Sequence, residues 1–350
     1  VLLWLLLFLR ILLANMSRIK YYFGRLFEID WKNMFRVVGK ISKRCHKPYI
    51  LILFDTIWCS IKYGAGYMDY FQFFFENLNS KQRATYINRT VNNKYHRLLN
   101  NREYFHLFQN KHEFLNTYKE FIKRDFLLLD ESTYDEFLYF VKKHPVFITK
   151  PDDGLCGIGV ELVDTNGCDL KGLYDKLLAN KQNLLEERIV QNAKMNKLYP
   201  EAINTLRVVT INRFGKVSVP FVALRIGIGG RHVDNFHAGG CFSVVDSDGV
   251  VRKPALDKEN RIYDVHPDTG TSIIGFKVPM YDEVIEQCKK MALVTPEIGY
   301  TGWDMAIGEK GIDVVEANQL PGYDIYQSYP HLNADLCGLK PRFDEAIFNK

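Results

Sequence analysis

The chain has no C-x-x-C pair: its seven cysteines (45, 59, 156, 168, 241, 288 and 337) form an odd, irregularly spaced set. That argues against a disulfide framework or a zinc site and fits a reducing cytosol. The chain also has no G-x-x-x-x-G-K-[ST] motif and no glycine fingerprint opening a helix, so P-loop and dinucleotide-fold nucleotide binding are set aside. Repeats and low-complexity linkers are absent, so any lobes should be closely associated. A long apolar run is missing too. Val1 to Leu13 is apolar except for Arg10, short of the roughly 20 residues a membrane span needs, and it lacks the basic start and small-residue cleavage site of a signal peptide. Two readings of residues 1–15 stand: translated upstream codons ahead of a start at Met16, or a short apolar anchor.

What is present is a globular composition. The 350 residues are 47% hydrophobic, enough for one large or two ordinary domains. Net charge is +5 but uneven: residues 1–130 carry 21 basic and 10 acidic side chains, the remainder 25 and 31. The N-terminal third is therefore the part to meet an anionic lipid surface, with a solvated basic face as the alternative; nucleic acid is not an expected partner. The aromatic run from Tyr63 to Phe75 reads as core rather than a stacking platform.

Apolar spacing predicts a helix over Lys111–Arg124 and another after Ser132, ended by His144-Pro145. A strand over 146–149, a glycine-rich turn, a strand over 160–163 and a helix over 170–178 follow. Strands dominate from Leu184, and a helix returns over 281–293.

Four segments carry chemistry. In Trp303–Gly308 and Ile312–Asn318, joined by a three-residue loop Glu309-Lys310-Gly311, residue 308 faces 312, 306 faces 314 and 304 faces 316. Asp304 and Glu316 then lie opposite each other with Asn318 on the same face, an oxygen donor set suited to Mg²⁺; a solvated strand face is the alternative. Lys150 at a strand end precedes a loop with Gly154, Gly157 and Gly159, offering an ammonium and closely approaching N–H groups to a polyphosphate; an ordinary glycine-rich hairpin is the alternative. In Leu184–Val190, apolar residues including Ile189 flank Glu186 and Glu187, so adenine could meet the backbone while a carboxylate takes ribose hydroxyls. With Arg213-Phe214-Gly215 as a three-residue loop, 207 pairs with 221, and Arg207 and Arg225 share a face suited to a phosphoryl or acyl phosphate group. Asp234–Cys241, with paired glycines, suggests a loop closing over a ligand. A Cys241–His237 nucleophile pair there lacks an orienting third group.

Taken in order, these segments resemble the ATP-grasp superfamily, in particular its RimK-like glutamate ligases. Asn204-Thr205-Leu206-Arg207, Asp234-Asn235 and the N-terminal part are more similar to its sugar-transfer-associated branch, linked to surface polysaccharide synthesis. The resemblance implies an α+β fold in which two lobes clasp ATP, with a mainly helical N-terminal module. The corresponding division is 16–105 for that module, 106–190 and 191–335 for the lobes, and 336–350 for a tail. It implies that Lys150 and Lys111 contact ATP, with Gly154, Gly157, Gly159, Glu186, Glu187, Ile189 and Asn235. Asp304, Glu316 and Asn318 would hold Mg²⁺, or Mn²⁺ in its place, while Arg207 and Arg225 stabilise an acyl phosphate formed on a substrate carboxylate. The implied activity is a cytoplasmic carboxylate ligase acting on a sugar-linked precursor, with unknown carboxylate and acceptor. The alternatives are a sugar phosphotransferase and an ATP-binding assembly protein. Two departures from the glutamate ligases stand out: Thr205 where they commonly carry an acid, and Val233 where they carry a base.

Overall fold

The computed structural model describes residues 30–151, 159–230, 234, 236 and 239–349. They divide into two compact units, one up to Ser80 and one from Lys81.

The first unit is helical. Helix α1 (Trp31–Cys45) starts at Asp30, whose side chain accepts from Asn33 N at 2.9 Å. Helix α2 (Tyr49–Tyr63) ends where Gly64 takes φ 73°, a left-handed cap that glycine adopts without a Cβ penalty. Helix α3 (Tyr67–Gln72) follows. Their inner faces bring together Val37, Val38, Ile41, Ile52 and Cys59 with Tyr70, Phe73 and Phe75, all fully buried or nearly so, so much of the aromatic run is core.

In the second unit, helix α4 (Arg89–Leu99) is capped by the buried Asn88 side chain and packs on the strand that carries Tyr300. Asn100 fixes the contact, giving Nδ2 to Tyr300 O at 2.8 Å and accepting from Tyr300 N at 2.7 Å. Residues 81–105, read from sequence as part of the N-terminal module, thus pack with the second unit. So does the expected tail: helix α10 (Lys340–Phe348) buries Phe343 against Tyr95, Tyr300 and Tyr326.

Between them lie two antiparallel sheets. The four-stranded sheet has β1 (Phe126–Leu128), β2 (Val146–Lys150), β3 (Glu161–Asp164) and β4 (Leu184–Glu187) in the order β1-β4-β2-β3. Helices α6 (Tyr134–Lys143) and α7 (Leu170–Ala179) cover it through Phe137, Phe140 and Leu177. α6 opens with a capping box, Thr133 with Glu136. Helix α5 (Lys111–Thr117) is shorter than its periodicity predicts. The weak helix formers Asn116 and Thr117 end it, and a 3-10 turn over Lys119–Phe121 releases the chain toward β1.

The seven-stranded sheet has β5 (Thr205–Arg213), β6 (Lys216–Ile226), β7 (Cys241–Val244), β8 (Ala255–Asp257), β9 (Ile262–Tyr263), β10 (Tyr300–Gly308) and β11 (Gly311–Asn318), in the order β11-β10-β5-β6-β7-β8-β9. Helix α9 (Tyr281–Val294) covers one face, where Leu206, Val208, Leu224, Trp303 and Met305 are buried; helix α8 (Ala193–Leu198) adds Met195 to the same core.

Both long hairpins depart from the register read in the sequence, because each closes on a two-residue turn where a three-residue loop was expected and each contains a bulge. Arg213 pairs with Lys216 across a two-residue turn in which Phe214 and Gly215 both take positive φ, and the register shifts between Val209 and Ile211 opposite Val219-Pro220. Arg207 therefore faces Ala223, not Phe221. Proline tolerates that position because a bulge frees it from the ladder. In the second hairpin the turn is Glu309-Lys310 and Gly308 pairs with Gly311; the register shifts between Asp304 and Met305, leaving Val315 unpaired. Asp304 still faces Glu316, but Ala306 faces Asp313 instead of Val314. The bulge thus puts Asp313 and Glu316 on one face, although strand alternation would separate them. Deleting Val315 should leave Asp304 facing Glu316 and Ala306 facing Asp313 in one regular ladder, keeping the Arg124–Asp313 ion pair, so the unfolding free energy by urea titration should change by no more than about 1 kcal/mol; a loss of about 3 kcal/mol or more, the cost of orphaning Arg124, would contradict this account of the bulge.

Candidate active site

On the face of the seven-stranded sheet opposite α9, one row of side chains crosses three strands. Glu316 on β11 faces Asp304 on β10, and Asp304 faces Arg207 on β5. Arg207 gives Nε to Asp304 Oδ1 at 2.5 Å and Nη2 to Oδ2 at 2.9 Å, and Arg225 from β6 adds Nη1 to Oδ2 at 2.8 Å. Burial alone would raise the Asp304 pKa, but the two guanidiniums outweigh it and hold the carboxyl well below the usual range. Gly302, opposite Asn318, keeps the row open: a Cβ there would stand 3.4 Å from Arg207 Cδ and 3.0 Å from Pro321 Cβ.

Asn318 Nδ2 lies 3.4 Å from Glu316 Oε1, and Glu316 is hydrogen-bonded to Asp304, so the three oxygen-bearing side chains expected to hold a metal stand together. Although the Glu316 side chain is exposed, its carboxyl is crowded by protein; that desolvation, and then the charge of Asp304, raise its pKa. Two carboxylates and an amide suit a hard cation, and a cation among them would offset that strain, so the residues fit Mg²⁺.

Behind the row, Asp234 accepts from Thr205 N at 3.0 Å, from Thr205 Oγ1 and from Arg225 Nη2 at 3.3 Å. Thr205 thus meets an acid that enters the chain after β6. The chain folds back tightly there: a Cβ on Gly240 would lie 2.3 Å from Asp234 O. Asn235, His237 and Val233 lie outside the described residues. Cys241 is fully buried and its thiol is pushed up to about 12, mainly by burial, so it is no nucleophile.

The lysines and the acidic pair form a second cluster. Lys150 ends β2 and bonds Glu186; Lys111, the first residue of α5, donates to Pro151 O, so both ammonium groups stand where the glycine loop begins. Gly154 and Gly157 fall outside the described residues. Gly159 takes φ +75°, and a Cβ there would lie 2.8 Å from Pro151 Cγ. Glu186, read in the sequence with Glu187 as an acid for ribose hydroxyls, has its carboxylate buried between Lys150 and Arg124, which binds it through Nε at 2.8 Å and Nη2 at 2.6 Å. Burial is outweighed by Arg124 and Lys150, which bring its pKa down to about 2. Glu187 points the other way, accepting from Asp125 N at 3.0 Å and from Lys310. Arg124, unmarked in the sequence, also gives Nη1 to Asp313 at 2.6 Å. Ile189 is half-buried and lines a cleft of about 530 Å³ with His144, Val190 and Pro200. A larger cavity of about 1010 Å³, between α9 and the 246–253 loop, contains none of the expected site residues.

Two antiparallel sheets, one ending in a lysine before a glycine loop and the other bearing the acid, amide and arginine row, are the α+β architecture of an ATP-grasp protein. The chain belongs to the sugar-transfer associated ATP-grasp family, whose sequence profile matches residues 90–329. Solved structures similar to it include the ATP-grasp ligase PsnB complexed with a minimal precursor (14% identity, TM-score 0.43, 71% of this chain and 62% of that one). D-alanyl-alanine synthetase A from Vibrio cholerae is also similar (14%, TM-score 0.41, 69% and 65%), as is D-alanine–D-alanine ligase from Bacillus anthracis (14%, TM-score 0.39, 73% of both). The chain thus spans less than two thirds of the length of PsnB. A search of curated proteins finds no match.

Arg124→Ala would leave Glu186 and Asp313 buried without their guanidinium, and should cost about 3–5 kcal/mol at neutral pH in urea unfolding. Because the Glu186 pKa is depressed in the folded state, its contribution is present above the ordinary carboxylate range and lost as pH falls toward 2. The penalty should therefore shrink on acidification; a penalty below about 1 kcal/mol at neutral pH would contradict the network.

Proposed function

We propose that this chain is an ATP- and Mg²⁺-dependent ligase that activates a carboxylate as an acyl phosphate and passes it to a nucleophile, usually an amine, on a sugar or surface-polysaccharide precursor in the cytoplasm. The observation that carries this reading is the Glu316–Asp304–Arg207 row with Arg225 on the same carboxylate. It sets oxygen donors for a cation beside two guanidiniums that match a phosphoryl group. The sugar-linked substrate rests on the family alone.

The residues divide the work by charge. Lys150 and Lys111 neutralise ATP phosphates at the start of the glycine loop, and the backbone near Ile189 borders the base. Asp304, Glu316 and Asn318 would hold Mg²⁺, which supplies charge neutralisation at the transferring phosphoryl group. Arg207 and Arg225 bind the substrate carboxylate and the acyl phosphate that forms from it; planar guanidiniums suit both groups. Asp234 keeps Arg225 aimed into the site. Catalysis by positioning and fixed charge needs no protein nucleophile, in keeping with the inert thiol of Cys241.

The test is ATP turnover with Mg²⁺ across a panel of carboxylates and amine acceptors. Glu316→Ala removes an exposed metal ligand without orphaning a buried charge, and Lys150→Ala removes an ammonium. Each should lower kcat at least about 100-fold, and Glu316→Ala should keep the wild-type melting curve. ADP, inorganic phosphate and a condensed product support the ligase. A phosphorylated sugar with ADP would establish the phosphotransferase instead, and full activity of Glu316→Ala would remove the proposed metal site.

A further inference from the structure

Helix α2 is apolar on two opposite sides. Ile52, Thr56 and Cys59 form the side packed into its own unit. Ile50, Leu51, Phe54, Ile57, Trp58 and Ile61 form the other, each between 39% and 64% exposed. At 100° per residue these six fall within about 60° either side of Phe54, so they make one continuous stripe. The stripe extends onto α1, where Trp31 and Phe35 are also exposed with ring centroids 6.0 Å apart, and Tyr49 Oη reaches Phe35 O at 3.5 Å. A helix that is apolar all round belongs in a buried setting, and exposed apolar surface of this extent marks an interaction face.

Charge on the same unit selects the partner. Lys32, Arg36, Lys40, Lys43, Lys47 and Lys62 are exposed. The acids are engaged internally: Glu76 is buried against Arg44 at 2.6 Å, Asp69 caps Gly66 N at 2.8 Å and Asp55 accepts from Tyr70 Oη at 2.6 Å. Among the described residues of this unit, Asp30 is the one exposed carboxylate. An apolar, tryptophan-bearing stripe ringed by lysine and almost free of surface acid is complementary to an anionic lipid bilayer, where rings enter the acyl boundary and ammonium groups meet headgroup phosphates. Fifteen residues make about 22 Å of helix, less than a roughly 30 Å hydrocarbon core; no described helix is long and apolar enough to cross a membrane. We propose that the α2 stripe lies in the plane of an anionic membrane surface and seats the protein there, a role separate from the nucleotide chemistry of the second unit.

The test is co-sedimentation of the full chain with vesicles of phosphatidylcholine alone and of phosphatidylcholine mixed with phosphatidylglycerol, at low and raised salt. The wild type should bind the mixed vesicles, more weakly as salt rises. A Phe54→Glu/Trp58→Glu double variant, altering two exposed side chains, should keep the melting curve and lose at least about tenfold in partitioning. Lys40→Glu/Lys43→Glu should weaken binding to the mixed vesicles while leaving that to the neutral ones unchanged. Failure of the folded wild type to bind mixed vesicles would overturn the proposal, as would undiminished binding of the Phe54→Glu/Trp58→Glu variant. A dimer that this variant dissociates, with no vesicle binding, would make the stripe an interface between copies and overturn it too.

Discussion

The structure of the site depends on a charge balance around Asp304. A carboxylate at 3% exposure one strand in from the edge of a seven-stranded sheet is costly unless its charge is met by hydrogen-bonded cations, and here two guanidiniums from different strands meet it. Those arginines are themselves buried or nearly so, and Asp234 supplies the additional anion that Arg225 needs. The result fixes the spacing of β5, β6 and β10 and the position of Asp234 at once. Asp304 is thus held by the same two arginines that, in the proposed reaction, would meet the substrate's anion, while Asp304 itself would be a ligand of Mg²⁺.

A second buried cluster joins the sheets. Arg124 bonds Glu186 on β4 of one sheet and Asp313 on β11 of the other, and Glu186 also holds Lys150. Lys150 therefore stands at the start of the glycine loop while connected through three ion pairs to the strand that carries Glu316. This connection exists only because the Val315 bulge turns Asp313 to the same face as Glu316. A local irregularity in one edge strand sets the geometry of both clusters.

Much of this was legible in the sequence because strand alternation and turn chemistry are local. The facing of Asp304 and Glu316, the shared face of Arg207 and Arg225, the helix after Ser132 and the strand before Lys150 all follow from spacing. The turn-side pairing of β10 with β11 and the partner of Arg207 were not legible, since an extra residue such as Val315 leaves no compositional mark; Pro220, which a regular inner strand excludes, is the one cue to the bulge in β6. Arg124 and Asp313 read as ordinary charges, because a buried ion pair is defined by a partner 189 positions away. Glu186 was visible, but its ion pairs were not, since they depend on which of two adjacent acids faces Arg124. The boundary near residue 81 and the helix at the C-terminus were hidden for the same reason, their aromatic partners being distant in sequence.

The most direct test of this account is calorimetric titration of ATP into the chain with and without Mg²⁺, for the wild type and for Glu316→Gln. The account predicts wild-type binding that tightens markedly with Mg²⁺, and a variant whose affinity no longer responds to the cation. Binding to the wild type that is indifferent to Mg²⁺, or a Mg²⁺ response that survives in Glu316→Gln, would contradict the claim that the acid row on β10 and β11 is the metal site of an ATP-dependent ligase.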